Sequence, residues 1–176
     1  GAELLENTNT RERTFLFARA CEIAKAGLAV ALRSPPAQLA LVLSGLVNAY
    51  DPNYMPEGID SAQLADVGQR VLKALPRRTR DELGPLAVEM AGRPGFDPRS
   101  IGLAAGDLGN RVALLATGDL LAAFSALLKL NSRALEGDTR RRAEILRSVP
   151  ETASLLRFAV SEEYLDARHR AGADSL

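Results

Sequence analysis

Tryptophan is missing from this 176-residue chain, and cysteine and histidine occur once each. A single thiol closes no intrachain disulfide, so Cys21 carries no sign of an oxidising compartment. One imidazole and one thiol fall short of the three or four His/Cys ligands of most zinc sites, which leaves only carboxylates to hold a harder ion. Net charge is missing too: 22 Lys+Arg stand against 22 Asp+Glu, so no global field draws the chain onto nucleic acid or anionic lipid. No run approaches the ~18 consecutive apolar residues that a bilayer demands. The longest apolar stretch, Ala26 to Leu32, contains Gly27 and stops at Arg33. The first ten residues lack the basic-then-apolar order of a signal peptide. The expectations are a cytoplasmic chain with no membrane insertion, no metal and no cofactor.

What is present is ordinary globular material, 47% apolar and 25% charged. The length suits one domain, placed over residues 11–170, with 1–10 and 171–176 as flexible ends. Pro, Gly and Asp/Ser/Thr recur at intervals that punctuate helices, and no window alternates in the manner of a strand. The first helix is expected from Arg11 to Leu32 behind Asn9 or Thr10, carried by Phe15, Leu16, Ala20, Ile23, Leu28 and Leu32. Ser34-Pro35-Pro36 opens a second, apolar almost all round and therefore central to its domain, ending at Asp51-Pro52. Asp60 caps a third, running to Leu75; a fourth follows Pro76 and contains Pro85. Asp97-Pro98 opens a fifth to Thr117, and Gly118-Asp119 separates it from a sixth, Leu120 to Leu130. A polar connector, Asn131 to Asp138, leads to helices at Thr139–Arg147 and from Pro150 to His169. The sequence predicts an all-α domain of about seven or eight helices, with no regular repeat.

Several constellations carry both a chemical and a structural reading. Gly102, Gly106 and Gly109 share one face of the fifth helix, which favours close helix packing; a phosphate loop lacks its Gly-Lys-Ser/Thr ending. The clusters Arg77/Arg78/Arg80 and Arg140/Arg141/Arg142 are interleaved with acids and lack stacking aromatics, so solvated helix faces are favoured over a nucleic-acid surface. His169 lies one turn from Asp166 near a chain end, a surface pair rather than a dyad with a positioned nucleophile. Glu162 and Glu163 are adjacent and diverge by about 100° on a helix. Cys21, beside Ala20 and Ile23, is expected to be buried and inert. Tyr50, Asp51 and Tyr54 cluster at a helix end, where they line a small pocket or cover the edge of the core. Asp107 and Arg111, one turn apart, either join Asn48 in a cavity or form an i, i+4 ion pair.

Two stretches, LALVLSGLVNAYDPNY from Leu39 to Tyr54 and AAGDLGNRVALLATGDL from Ala104 to Leu120, resemble the C-terminal region of large tetratricopeptide-repeat proteins of myxobacteria and their relatives. PPAQLALVL and LPRRTRDELGPLA fit the same order. That region in turn resembles a decayed gluzincin-type zinc peptidase core. Such a peptidase sets His-Glu-x-x-His on one helix and a ligand Glu, in a Glu-x-x-x-Asp segment, on a later one. Here Leu46-Val47-Asn48-Ala49-Tyr50 occupies the first place, with Gly106 and Asn110 at the second, so no ligand is carried over. The resemblance implies a scaffold or adaptor without catalysis, the end of a longer repeat protein, with protein partners; a chain beginning at Gly1 fits a trimmed piece. An apolar face left bare by missing repeats would pair two copies. The candidate interaction surfaces are the basic helix with Arg140 and Arg141, and the Tyr50–Tyr54 edge. A small-ligand binder or metal-independent enzyme using Asn48, Asp107 and Arg111 is the alternative, and nucleic-acid binding through the arginines is the third reading.

Overall fold

The computed structural model describes residues 6–132 and 138–172, so residues 1–5 of the expected N-terminal segment, 133–137 of the connector and 173–176 of the tail lie outside it. Among the described residues all regular structure is helical. The helices are α1 (Thr10–Lys25), α2 (Ala29–Arg33), α3 (Pro36–Tyr50), α4 (Ser61–Ala74), α5 (Arg77–Ala91), α6 (Ile101–Thr117), α7 (Leu120–Leu130), α8 (Thr139–Arg147), α9 (Pro150–Ala159) and α10 (Glu162–Arg170). A 3₁₀ turn at Pro98–Ser100 precedes α6. The all-α expectation is met, while the described residues form ten helices rather than seven or eight because two expected helices are each divided.

The first division is at Gly27, whose φ of +68° is open to glycine and strained for a side chain. There Leu28 N–H donates to Ile23 O at 2.9 Å and Gly27 N–H to Ala24 O at 3.1 Å. This pair of bonds closes α1 in a Schellman motif, and the chain restarts as α2. The second division is at Ser161, in extended conformation, whose hydroxyl oxygen accepts Tyr164 N–H and caps α10. Asp60, Asp97, Asp119 and Asp138 each accept a backbone N–H from the first turn that follows, whereas Ser34 does not cap α3, its hydroxyl donating back to Val30 O at 2.8 Å. Helix α5 continues through Pro85.

The chain forms two compact units, one of Val30–Gly102 and the other of the residues up to Ala29 together with those from Leu103 onward. In the Val30–Gly102 unit α3 is central, packing on α4, α5 and the 3₁₀ turn. Its core holds Ala40, Val47, Leu64, Val67 and Ala87. Helices α3 and α4 meet at two glycines: a Cβ on Gly45 would stand 3.0 Å from Gly68 N, and one on Gly68 would overlap the Gly45 carbonyl oxygen.

In the other unit Phe15 of α1, Ala113 and Leu114 of α6, Phe124 and Leu127 of α7, and Leu155 and Phe158 of α9 form one apolar cluster. A charged lock ties α1 to α7 beside it. Asn9 and Glu12 make a reciprocal capping box, with Glu12 N–H donating to Asn9 Oδ1 at 3.0 Å and Asn9 N–H to Glu12 Oε2 at 2.8 Å. Lys129 Nζ donates to both Glu12 oxygens at 2.7 and 2.9 Å, and Ser125 Oγ donates to Oε1. Lys129 Nζ also reaches the Asn7 carbonyl at 2.8 Å, and Thr8 is buried.

Candidate functional site

Asp107 and Arg111 take the ion-pair arrangement, Arg111 Nε donating to Asp107 Oδ2 at 2.8 Å. Arg111 also reaches Glu163 of α10 at 3.3 Å and lies 4.8 Å over the Phe158 ring, a cation–π contact. Ser154 Oγ of α9 donates to Asp107 Oδ1 at 2.6 Å. The two side chains therefore clamp α6 to α9 and α10. Asn48 is used elsewhere: its amide donates to Tyr54 O at 3.1 Å and to Pro52 O at 3.4 Å, holding the turn after α3. Asn48 belongs to the Val30–Gly102 unit and Asp107 and Arg111 to the other.

The Tyr50–Asp51–Tyr54 cluster spreads out rather than converging. Tyr50 OH donates to Arg80 O at 2.7 Å, and its ring lies where a Cβ on Gly84 would come within 3.1 Å. Asp51 Oδ1 accepts Asn53 N–H at 3.0 Å, closing a local turn. Tyr54 packs its ring against Phe96, 6.5 Å between centroids. The rings thus cover the core edge of the Val30–Gly102 unit, and of Tyr50, Asp51 and Tyr54 it is Tyr54 that contributes to the lining of a small pocket there.

Arg140 and Arg141 lie exposed in the first turn of α8, a helix that buries none of its residues. Arg140 pairs with Glu144 at 3.5 Å, and Arg141 N–H is capped by Asp138 at 2.9 Å. Cys21 corrects its expectation: it is exposed. The inward stripe of α1 is Glu12, Phe15, Arg19 and Ile23, and residue 21 stands about 200° around the helix from the last two. Gly109 confirms close packing within its unit, since a Cβ there would meet Ile23 Cδ1 at 2.9 Å and Arg19 Cγ at 3.2 Å. That approach brings Arg19 Nε to Asn110 Oδ1 at 2.7 Å, with Asn110 fully buried and its Nδ2 without a hydrogen-bond partner among the described residues. Burial lowers the Arg19 pKa, and the nearby Glu151 carboxylate opposes that shift.

A groove of about 560 Å³ lies where α6 turns into α7, lined by Arg11 and Thr14 of α1, residues 115–121 and Arg168 of α10. Its corner is Gly118, at φ +64°, where a Cβ would overlap the Arg168 guanidinium. Asp119 Oδ1 accepts Ala122 N–H at 2.9 Å and Oδ2 accepts from Arg11 NH1 at 3.0 Å. The capping bond from Ala122 is the main cause holding the Asp119 carboxyl below its ordinary 3.8; burial opposes it and the Arg11 contact adds to it. Leu115, Leu120 and Leu121 supply the apolar wall, and Leu121 is 76% exposed.

No family model, curated protein or solved structure matches this chain. Among the described residues, no three His, Cys, Asp or Glu side chains are grouped to hold a metal ion, and no helix is long and apolar enough to cross a membrane.

The groove was not among the sites expected from sequence, although Gly118-Asp119 was visible as a break. Periodicity marks Leu120 and Leu121 as apolar but not which of the two α7 leaves outside. The Glu12 lock was half legible: Asn9-x-x-Glu12 has the spacing of a capping box. Nothing local announces that Lys129 completes it.

Proposed function

We propose that this chain is a protein-interaction module that holds a short segment of a partner protein in the α6–α7 groove. The observation that carries this reading is the exposed Leu121 on an apolar wall, with the guanidinium groups of Arg11 and Arg168 lining the same groove. Two arginines against one aspartate leave the lining with a formal charge of +1 (2 − 1), counted from the lining residues Arg11, Arg168 and Asp119. An apolar side chain flanked by Asp, Glu or a terminal carboxylate is the complementary partner. Leu121 stands exposed beside the half-buried Leu115 and Leu120, so the groove offers a continuous apolar wall rather than a lone side chain. A scaffold role within a longer repeat protein, and descent from a gluzincin core without its ligands, belong to the same proposal. Their support is the tetratricopeptide-protein resemblance and the Leu46–Tyr50, Gly106 and Asn110 positions, none of which offers a zinc ligand of the peptidase type.

Selection of displayed peptides against the intact chain, followed by titration calorimetry, tests this reading. Selected peptides should pair an apolar residue with an acidic one, and Leu121→Glu should weaken them by about tenfold or more. Because Leu121 is largely exposed, that variant should keep its stability within about 0.5 kcal/mol. Peptides that bind the variant as tightly as the original chain would sink the reading. Sedimentation of both proteins separates it from self-pairing, in which Leu121 would hold two copies together.

A further inference from the structure

The Val30–Gly102 unit contains a second concavity, of about 220 Å³, that the interaction reading does not use. On its wall lies Ser44 of α3, 1% exposed, with an Oγ that has no hydrogen-bond partner among the described residues. A buried hydroxyl left unpaired is destabilising, and native proteins nearly always give such a group a partner. A serine or threonine inside a helix commonly returns its hydroxyl to the carbonyl one turn back, as Thr14 of α1 does to Thr10 O at 2.9 Å. Ser44 does not do so.

The rest of the lining selects what that partner can be. Tyr54 and Phe96 present tilted rings, and Ile59 and Pro98 add aliphatic surface. The volume exceeds the ~150 Å³ of a cavity known to accept benzene, and falls short of the ~300 Å³ at which drug-sized ligands begin. One ring with a substituent is the size that fits. Charge narrows the class further. Glu57 and Asp97 line the pocket against Arg99 alone, a formal −1 (1 − 2), counted from those lining residues. One guanidinium nitrogen of Arg99 donates to the Glu57 backbone carbonyl at 3.2 Å, and its backbone N–H donates to Asp97 Oδ1 at 2.9 Å. A carboxylate is therefore disfavoured there.

We propose that this pocket is a binding site for a neutral, single-ring molecule carrying one hydroxyl, carbonyl or amide group, which meets Ser44 Oγ while its ring packs on Tyr54 and Phe96. A turn about the serine χ1 directs the hydroxyl to the ligand. The site is separate in sequence and lining from the α6–α7 groove, so its failure leaves the interaction reading standing.

Phenol, toluene and benzoate are the probes, titrated into the whole ¹⁵N-labelled chain and followed by amide chemical shifts. Phenol and toluene have nearly the same shape, and toluene is the more hydrophobic, so a plain greasy pocket prefers toluene. The expected result is that phenol binds about three- to tenfold tighter than toluene, the range of one hydrogen bond. Shifts should centre on residues 44, 54 and 96–99, and benzoate should bind most weakly. Ser44→Ala should remove the preference for phenol while leaving toluene unchanged. Equal or tighter binding of toluene to the unaltered chain, or shifts centred elsewhere, overturns the proposal without relying on the variant.

Discussion

Glu12 shows how one side chain can serve two levels of structure. One oxygen accepts the Asn9 N–H in the capping box, and both receive Lys129 from 117 residues away. Burial pushes its carboxyl up; bonds from Lys129, Ser125 and the Asn9 N–H more than offset that and hold it below its ordinary 4.5. Asp119 is held below its ordinary value as well, chiefly by the Ala122 N–H. In both cases the folded value lies under the unfolded one, so the stabilisation is complete above the unfolded value and drains away as pH falls through the folded one. The urea midpoint should stay level from about pH 7 to about pH 5 and drop below about pH 4. Glu12→Gln should cost about 1–3 kcal/mol at pH 7 and make the acid drop shallower. The lower part of that range is expected because Lys129 retains 31% side-chain exposure, so water weakens the pair. A variant with an unchanged midpoint and an unchanged acid limb would show the lock to be idle.

At the scale of elements, two glycines decide how closely α3 and α4 cross. Adding a methyl to Gly68 drives it into the Gly45 carbonyl, a backbone atom that cannot swing aside. Gly68→Ala should therefore lose about 1–3 kcal/mol in urea unfolding. Gly92→Ala is the matched control: its φ is −80° and its nearest new contacts are 3.7 and 3.8 Å, so the change should be neutral or stabilising by about 0.4–1 kcal/mol. Similar losses at both positions would mean that helix crossing is not what Gly68 serves. The division between α9 and α10 has a local cause in Ser161, followed by Glu162 and Glu163 in the first turn where the helix dipole favours acids. Ser161→Ala should cost about 1 kcal/mol and speed hydrogen exchange most in the amides of α10. That signal was present in the sequence as Ser-Glu-Glu, yet the apolar period on either side hid it. Gly27 was hidden in the same way, because a mid-helix glycine and a helix-ending glycine look alike until φ is known.

For the whole molecule, the balance of 22 basic against 22 acidic residues argues against a nucleic-acid partner more strongly than any one arginine argues for it. Fluorescence anisotropy with a labelled DNA duplex at low salt should show no binding; association that fades steeply with added salt would bring Arg140 and Arg141 back into question. The all-α class, the helix starts at Asp60, Asp97, Asp119 and Asp138, and the central place of α3 in its unit were legible because caps and apolar period act within a few residues. The candidate sites were not. A period of 3.6 states which residues share a face but is silent on which other face they meet. The pairing of Arg19 with Asn110 spans 91 residues, and Ser125 with Glu12 spans 113. Ser44 reads in the sequence as one small polar residue in an apolar helix, and only its neighbours from α3 to the 3₁₀ turn make it an unpaired hydroxyl on a pocket wall. Local backbone chemistry thus wrote the helices into the chain. Packing between segments far apart in sequence chose which side chains are locked, which are bare, and where a ligand has room.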